Sequence, residues 1–343
     1  MKTDILSMFP EELALFLENE PKYRVKQLFS WLHKGATFDE MTNLPKKMRE
    51  ELSEKSYIAL PTILQKYVSK LDGTVKYLFK LYDGQCIESV VMKYKHGNTI
   101  CISSQAGCKM GCKFCASTRN GWVRNLTPSE MLGQVLAAQK DTGLRISNIV
   151  LMGIGEPLDN YDNVMKFLRL VSLDEGLNIG LRHISLSTCG VVDKIYSLAE
   201  EDMALTLSVS LHHSNDNDRS ALMPINKKWN IDSLLDACRA YFEKTGRRIS
   251  FEYAVISGVN DNKQQADSLA DLLIKKLPKI PYHVNLIPVN TVEGTGFKSE
   301  IKSAMAFQAN LEKRGINATI RRKLGSDINA SCGQLRRTEM EKN

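Results

Sequence analysis

The sequence predicts an α/β protein: a partial (β/α)6 barrel with a small N-terminal helical accessory domain and a short antiparallel β extension. Three patterns support this fold class. Residues 1–60 place apolar residues at helical spacing, and residues 74–103 have the alternation of strands. From about residue 127 onward, strand and helix patterns alternate regularly. Such alternation implies right-handed crossovers and a parallel sheet.

The elements follow from these patterns in chain order. Strands are expected at 74–81, 85–94 and 98–103, separated by the turn residues Asp83-Gly84 and His96-Gly97-Asn98. Thr127, Pro128 and Glu130 predict the start of the first barrel helix. The remaining predicted strands are 145–152, 182–188, 204–211, 247–256, 282–289 and 318–322, and the remaining helices are 160–172, 191–199, 231–245, 262–277 and 299–314.

Counting 98–103 as the first barrel strand gives six β/α units, which fit a partly closed barrel better than an eight-fold one. The predicted division is a helical accessory domain at 1–60, a β-hairpin extension and linker at 61–97, a core barrel at 98–325 and a C-terminal segment at 326–343.

The composition indicates a globular protein. Of 343 residues, 43% are hydrophobic and 25% are charged, which excludes a disordered chain, a fibre and a membrane bundle. The N-terminus does not resemble a signal peptide, so we expect a cytoplasmic protein, and we expect a monomer. The net charge of +7 is modest. Basic residues cluster at 109–124 and 321–337, where they are expected to line the barrel mouth and attract phosphate.

Three cysteines lie in the loop after the first barrel strand. Cys108, Cys112 and Cys115 have C-x3-C-x2-C spacing, which suits a [4Fe–4S] cluster with one iron left open. Structural zinc is the alternative, with Cys101 or His96 as a fourth ligand. The uneven spacing favours the cluster.

Other polar residues are expected at the same mouth, because barrel ligands bind at the C-terminal ends of the strands. Each residue alone has an ordinary explanation as a turn, a helix cap or a surface residue. Their shared position at strand ends is the stronger signal. The residues concerned are Gly155, Glu156, Ser187, Ser210, Leu211, His212 and Asn290.

Several longer strings resemble the RlmN/Cfr family of radical S-adenosylmethionine RNA adenine methyltransferases. They are CISSQAGCKMGCKFCAS, GIGEPLDNYDNV, SLHHSNDNDRSALMPINKK, NLIPVN and GSDINASCGQL, in the family's order. Pro157 and the residues after it resemble the RlmN branch, which methylates adenine C2, more than the Cfr branch, which methylates C8 and confers antibiotic resistance.

The resemblance implies a role for each site residue. Cys108, Cys112 and Cys115 would hold the [4Fe–4S] cluster, and the seven strand-end residues would contact S-adenosylmethionine. Cys332 would be the cysteine that is methylated. Glu88 would be the proton acceptor and Cys101 the second redox cysteine. From the residues alone, Glu88 is expected to be an exposed strand carboxylate and Cys332 a structural thiol.

The implied reaction methylates an adenine carbon that is itself electrophilic. The methyl group is therefore first placed on the nucleophilic Cys332 thiolate. A radical derived from a second S-adenosylmethionine activates that methyl group, which adds to the base as a covalent protein–RNA adduct. Glu88 then accepts the ring proton, and Cys101 attacks Cys332 to form a disulfide and release the product.

The resemblance also implies partners. These are 23S rRNA, with tRNA as a second substrate, and an electron donor such as flavodoxin. Two alternatives stay open at this point: the C8 methyltransferase, and a non-catalytic RNA-binding protein containing zinc.

Overall fold

The computed structural model describes residues 2–18, 20–119, 121–289, 296–328 and 330. Within these ranges, no helix combines the length and apolar character needed to cross a membrane.

The N-terminal part of the chain is mainly helical, as its apolar spacing predicts. Its elements are strand β1 (Thr3–Asp4), helices α1 (Pro10–Phe16), α2 (Lys22–Leu32) and α3 (Lys46–Lys55), and strand β2 (Ser56–Tyr57). The prediction missed the short parallel pairing of β1 with β2. Polar contacts join this unit to the barrel: Lys166 Nζ lies 2.8 Å from Glu12 Oε1, and Ser129 N donates to Ser7 Oγ at 3.0 Å.

Four antiparallel strands follow. They are β3 (Thr62–Val68), β4 (Val75–Lys80), β5 (Cys86–Tyr94) and β6 (Gly97–Cys101). The three predicted strands are confirmed, and β3 is additional. It lies at the sheet edge with most of its residues exposed. The strand has no continuous apolar face, so its sequence lacks the alternation that marks the other three.

The β/α repeats have the predicted order. The elements are β7 (Gln105–Gly107), β8 (Trp122–Asn125), α4 (Pro128–Thr142), β9 (Ile146–Leu151), α5 (Tyr161–Ser172), β10 (Ile184–Thr188), α6 (Val192–Ala199), β11 (Thr206–Ser210), α7 (Asp216–Leu222), α8 (Ile231–Thr245), β12 (Ile249–Val255), α9 (Lys263–Lys276), β13 (Tyr282–Pro288), α10 (Ile301–Lys313) and β14 (Ala318–Ile320). The β7–β8 hairpin and α7 were not predicted, because they are short and lack a clear apolar period.

A ten-stranded sheet organises the molecule. Its order is β14-β13-β12-β11-β10-β9-β6-β5-β4-β3. The strands from β6 through β9 to β14 are parallel, and β3 to β6 are antiparallel. Among the described residues no pairing joins β14 to β3, so the barrel is open on one side. The predicted fold class is therefore confirmed.

The chain after β14 returns to the antiparallel extension. Gly325 N donates to Asp72 Oδ2 at 2.8 Å, and Asp327 accepts hydrogen bonds from Ser69 Oγ and Lys70 N. These contacts tie the C-terminal segment to the β3–β4 turn, across the open side of the barrel.

Protonation of His33 is expected to destabilise the fold in acid. Its ring packs on Phe29 with the centroids 4.1 Å apart, and neither ring nitrogen has a hydrogen-bond partner among the described residues. Burial lowers the pKa of His33 to about 4, against about 6.5 in an unfolded chain. Since the folded state resists protonation, stability should fall as the pH drops from about 6.5 towards 4, with a loss of about 2 kcal/mol at pH 5.

Urea unfolding at about pH 7 and pH 5 measures this effect. His33→Phe should lose less stability on acidification than the wild type, because it has no ring to protonate. Equal acid-dependent losses in the two proteins would contradict the prediction.

Candidate active site

A cavity of about 290 Å³ lies at the C-terminal ends of the parallel strands. It brings together most of the site residues that strand-end position predicts. Its lining includes Cys108, Cys112, Cys115, Gly155, Glu156, Ser187, Ser210 and His212. Leu211 is fully buried and does not line the cavity. Asn290 and Cys332 lie outside the described residues.

The cysteine loop is positioned by the β7–β8 hairpin. Gly107 has a φ of +87°, and a Cβ there would overlap the carbonyl oxygen of Gly121. Cys108 N donates to that same oxygen at 3.1 Å, so glycine is needed for the close approach of the two strands. Farther along, Lys113 N donates to Leu222 O at 2.9 Å and ties the loop to α7.

The donor set fits an iron–sulfur cluster with one open iron. All three cysteines are on one loop at one cavity wall, and Cys108 and Cys112 are buried. Burial raises the pKa of Cys108 to about 12 and also raises that of Cys112. Thiolates there therefore need a bound cationic centre, as a cluster would provide. In the described ranges, no three His, Cys, Asp or Glu side chains form a single-ion site.

Glu156 is held by backbone donors beside the cysteine loop. Its Oε2 accepts from Cys189 N at 2.7 Å and its Oε1 from Leu158 N at 3.0 Å. Burial raises the pKa of this carboxyl, whereas these hydrogen bonds act in the opposite direction. Gly155 has a φ of +108°, and a Cβ there would lie 2.6 Å from Gln105 Cβ. Packing at the rim therefore requires glycine at position 155.

His212 presents a neutral ring to the cavity. Its φ is +59°, and its Nδ1 accepts from Ala254 N at 2.9 Å. The ring meets Phe114 of the cysteine loop edge-on, with centroids 4.8 Å apart. Burial lowers the pKa of His212 to about 3. Near neutral pH it can therefore act as a flat packing surface and hydrogen-bonding group without carrying charge.

Arg219 supports the strand ends from behind, and sequence reasoning did not identify it. This side chain is fully buried. Its guanidinium donates to the carbonyl oxygens of Leu211, Ser210 and Cys189 at 2.8–3.0 Å, and to Asn226 Oδ1 at 2.7 Å. One cation thereby fixes the ends of β10 and β11, which bear the cavity-lining residues.

Further residues line the cavity. Met110, Met152, Met223 and Cys189 pack in or against the hydrophobic core and also contribute to the cavity lining. Glu252 also lines the cavity and was not singled out. Glu252 could have been found from its strand, where polar Ser250 and Glu252 alternate with apolar Phe251 and Tyr253. That alternation indicates one apolar outer face and one polar face towards the barrel interior. Arg321, which follows β14, belongs to the basic cluster that was expected at the barrel mouth, and it lines the cavity.

Glu88 is buried, which corrects the expectation of an exposed carboxylate. It is 1% exposed, and its Oε2 lies 3.0 Å from Nζ of the equally buried Lys76. Pairing with a cation in the neighbouring strand removes the main obstacle to burying a carboxylate. Sequence reasoning took strand carboxylates to be exposed and did not consider the cross-strand lysine.

Cys101 lies in the same interior region, against Val90, Met92 and Met152. Burial raises its pKa, and the negative charge of Glu88 acts in the same direction. It forms no disulfide with another described cysteine. Ala330 packs against this cluster. The chain two residues before Cys332 therefore packs against the cluster that contains Cys101.

The open barrel with a three-cysteine loop at its C-terminal mouth defines a radical S-adenosylmethionine protein. A family model described as "Radical SAM superfamily" matches residues 102–270, and one described as "Ribosomal RNA large subunit methyltransferase N-terminal domain" matches residues 3–58. The chain belongs to the RlmN family of radical S-adenosylmethionine methyltransferases. This family implies the [4Fe–4S] cluster and S-adenosylmethionine, which favours the iron–sulfur interpretation of the cysteines over zinc.

Two relatives and one solved structure establish this membership. The chain is 52% identical to the "Probable dual-specificity RNA methyltransferase RlmN" of Clostridium novyi (strain NT) and 54% identical to the protein of the same description from Alkaliphilus oremlandii (strain OhILAs). Each alignment covers 99% of both chains. The crystal structure of a radical SAM methyltransferase from Sphaerobacter thermophilus matches with a TM-score of 0.91 at 41% identity, over 97% of this chain and 98% of that one.

Removal of the Arg219 guanidinium should destabilise the protein strongly. Arg219→Ala leaves several buried acceptors without donors, at about 1–3 kcal/mol each, so we expect a loss of at least about 3 kcal/mol in urea unfolding. Arg239→Ala is the control, because Arg239 is partly exposed and its ion pair with Asp236 is at the surface. Similar losses in the two variants would contradict the role assigned to Arg219.

Proposed function

We propose that this protein is a radical S-adenosylmethionine methyltransferase that methylates C2 of an adenine in 23S rRNA and in tRNA. The main supporting observation is the cavity in which the three-cysteine loop meets the polar ends of neighbouring strands. The descriptions of the relatives as dual-specificity RNA methyltransferases support RNA as the substrate class and favour the RlmN reaction over C8 methylation.

Cys108, Cys112 and Cys115 would hold the cluster, and Gly155, Glu156, Ser187, Ser210, Leu211, His212 and Asn290 would form the S-adenosylmethionine site. When bound, these groups supply the methyl group and the organic radical. Glu156 suits the site because its oxygens already accept two backbone N–H bonds and are fixed in position. An electron donor such as flavodoxin would supply the reducing electron.

Cys332 is proposed to carry the methyl group and Cys101 to release the product. Ala330 packs in the cluster that contains Cys101, and two further residues can span at most about 7 Å. This short reach supports attack by Cys101 sulfur on Cys332 sulfur. In that step Cys101 loses its thiol proton, the sulfur–sulfur bond forms and the bond from Cys332 sulfur to the carbon attached to the base breaks. That carbon keeps the bonding electrons and takes up a proton to become the methyl group.

Glu88 is proposed to accept the ring proton before this release step. Its carboxylate is buried beside Lys76 and lies near enough to Cys101 to influence the thiol electrostatically. A carboxylate held in a fixed buried pair is positioned to accept a proton without reorganising solvent.

Anaerobic reconstitution with iron, sulfide, reductant, labelled S-adenosylmethionine and unmethylated rRNA tests the proposed function. The wild type should yield 2-methyladenine by mass spectrometry of digested RNA. Cys332→Ala should bind iron and sulfide equally but transfer no label, because it lacks the accepting thiol. Normal RNA methylation by this variant would refute the role of Cys332, and 8-methyladenine from the wild type would refute C2 specificity.

Cys101→Ala should trap the covalent protein–RNA adduct, because no thiol remains to attack Cys332. A denaturing gel with labelled RNA should show a protein-linked band. Cys86→Ala is the matched control, since it also removes a buried thiol from the antiparallel strands but does not belong to the cluster of Val90, Met92 and Cys101. Recovery of only free RNA and free protein from Cys101→Ala would contradict its assigned role.

A further inference from the structure

The barrel interior has a second opening at the end opposite to the cysteine loop. A cavity of about 650 Å³ is lined by residues at or near the N-terminal ends of β9, β10 and β11, among them Asn148, Ser185 and Thr206, and by Arg321 and Arg322, which follow the short edge strand β14. Met152 and Arg321 line this cavity and also the cavity at the C-terminal ends. The interior is therefore accessible from both ends, with these two side chains between them.

The second opening is strongly basic. Its charged lining residues are Lys95, Arg182, Arg321 and Arg322, with His96 and His183 beside them, and its described lining contains no Asp or Glu. Lys95, Arg182 and Arg322 form no ion pair with a carboxylate of the described chain, whereas Arg321 interacts electrostatically with the buried carboxyl of Glu252. Unpaired cations gathered around one opening create a positive potential that favours a polyanion.

At the end of the barrel that carries the cysteine loop, by contrast, two basic residues are paired with carboxylates. Lys109 Nζ lies 2.9 Å from Asp159 Oδ1, and the Arg124 guanidinium contacts both Glu130 and Asp83 at 2.7 Å. Two of the basic residues expected to attract phosphate at this mouth are thus already neutralised by neighbouring carboxylates. The described lining of the opposite opening, by contrast, contains no carboxylate.

The interior between the two openings is polar enough to receive a nucleobase. Ser185 and Ser208 hydroxyls lie 2.9 Å apart, and Asn285 Nδ2 donates to Glu252 Oε2 at 2.7 Å. Such amide, carboxylate and hydroxyl groups can hydrogen-bond the edges of an unstacked base. Cys101 lies one layer behind this lining: Met92, in the same cluster, and Met152, which packs against that cluster, both line the basic cavity.

We propose that the RNA substrate binds at the basic N-terminal opening of the barrel. Lys95, Arg182 and Arg322 hold the phosphates that flank the target adenine, and the unstacked base extends into the interior towards Arg321 and Cys101. The cofactor cavity is then reached by the RNA from the end opposite to the cysteine loop. This inference rests on the proposed function, since it takes RNA as the substrate.

Anisotropy of a fluorescein-labelled RNA stem-loop with an unpaired loop adenine tests this assignment in the full-length chain. Arg182→Ala and Arg322→Ala should each weaken binding about tenfold, because each loses a charge-assisted contact to phosphate. Each should also lower the slope of log affinity against log salt by about 0.7–0.9. Reductive cleavage of S-adenosylmethionine without RNA should be unchanged, since neither arginine lines the cofactor cavity.

Lys113→Ala is the matched control, because it removes one exposed cation from the cysteine loop at the opposite end. It should bind RNA like the wild type. Weaker binding by Lys113→Ala, with Arg182→Ala and Arg322→Ala unaffected, would place the RNA at the cysteine end and overturn the proposal. Unchanged binding by all three variants, with a wild type that methylates RNA, would overturn this proposal alone. A wild type that neither binds nor methylates RNA would overturn the proposed function as well.

Discussion

Parallel strand direction is the constraint on which the rest of the structure depends. Each right-handed crossover returns the chain to the same edge of the sheet, so every parallel strand ends at one mouth. Residues far apart in sequence, such as Cys108, Glu156, Ser187 and Ser210, therefore line one cavity. The site needs no long-range sequence signal, because the topology assembles it.

The open side of the barrel gives the interior its chemical character. A closed barrel of this width would be filled by branched apolar side chains. Here the inward faces of β10, β11, β12 and β13 carry serine, threonine, glutamate and asparagine, whereas their outward faces pack under the helices. The C-terminal segment crosses the open side through its contacts with Asp72, Ser69 and Lys70. A polar, accessible interior suits a reaction on a base that must leave its stack.

Buried charge is used in two different ways. Within the described residues, the Arg219 guanidinium donates its hydrogen bonds to carbonyl and amide oxygens, so its role is to fix backbone at the ends of β10 and β11. Lys76 and Glu88 form a buried pair in adjacent strands, close to Cys101. Burying charged groups costs free energy, so both arrangements depend on complete pairing of those groups. The first supports the cavity rim, and the second places a carboxylate inside the barrel.

The fold class, the order of the barrel elements and the cysteine loop were determined by local pattern in the sequence. Periodicity and cap residues such as Thr127 depend only on near neighbours in the sequence. The prediction that Gly155, Glu156 and His212 share one rim likewise needed only the position of each residue at a strand end. Tertiary structure alone decided the rest. The burial of Glu88 depends on Lys76 in the neighbouring strand. Arg219 hydrogen-bonds several backbone carbonyls because α7 packs behind the ends of two strands. Charge pairing across the fold likewise decided which basic residues stay uncompensated, because Asp159 and Glu130 approach Lys109 and Arg124 only once the chain has folded.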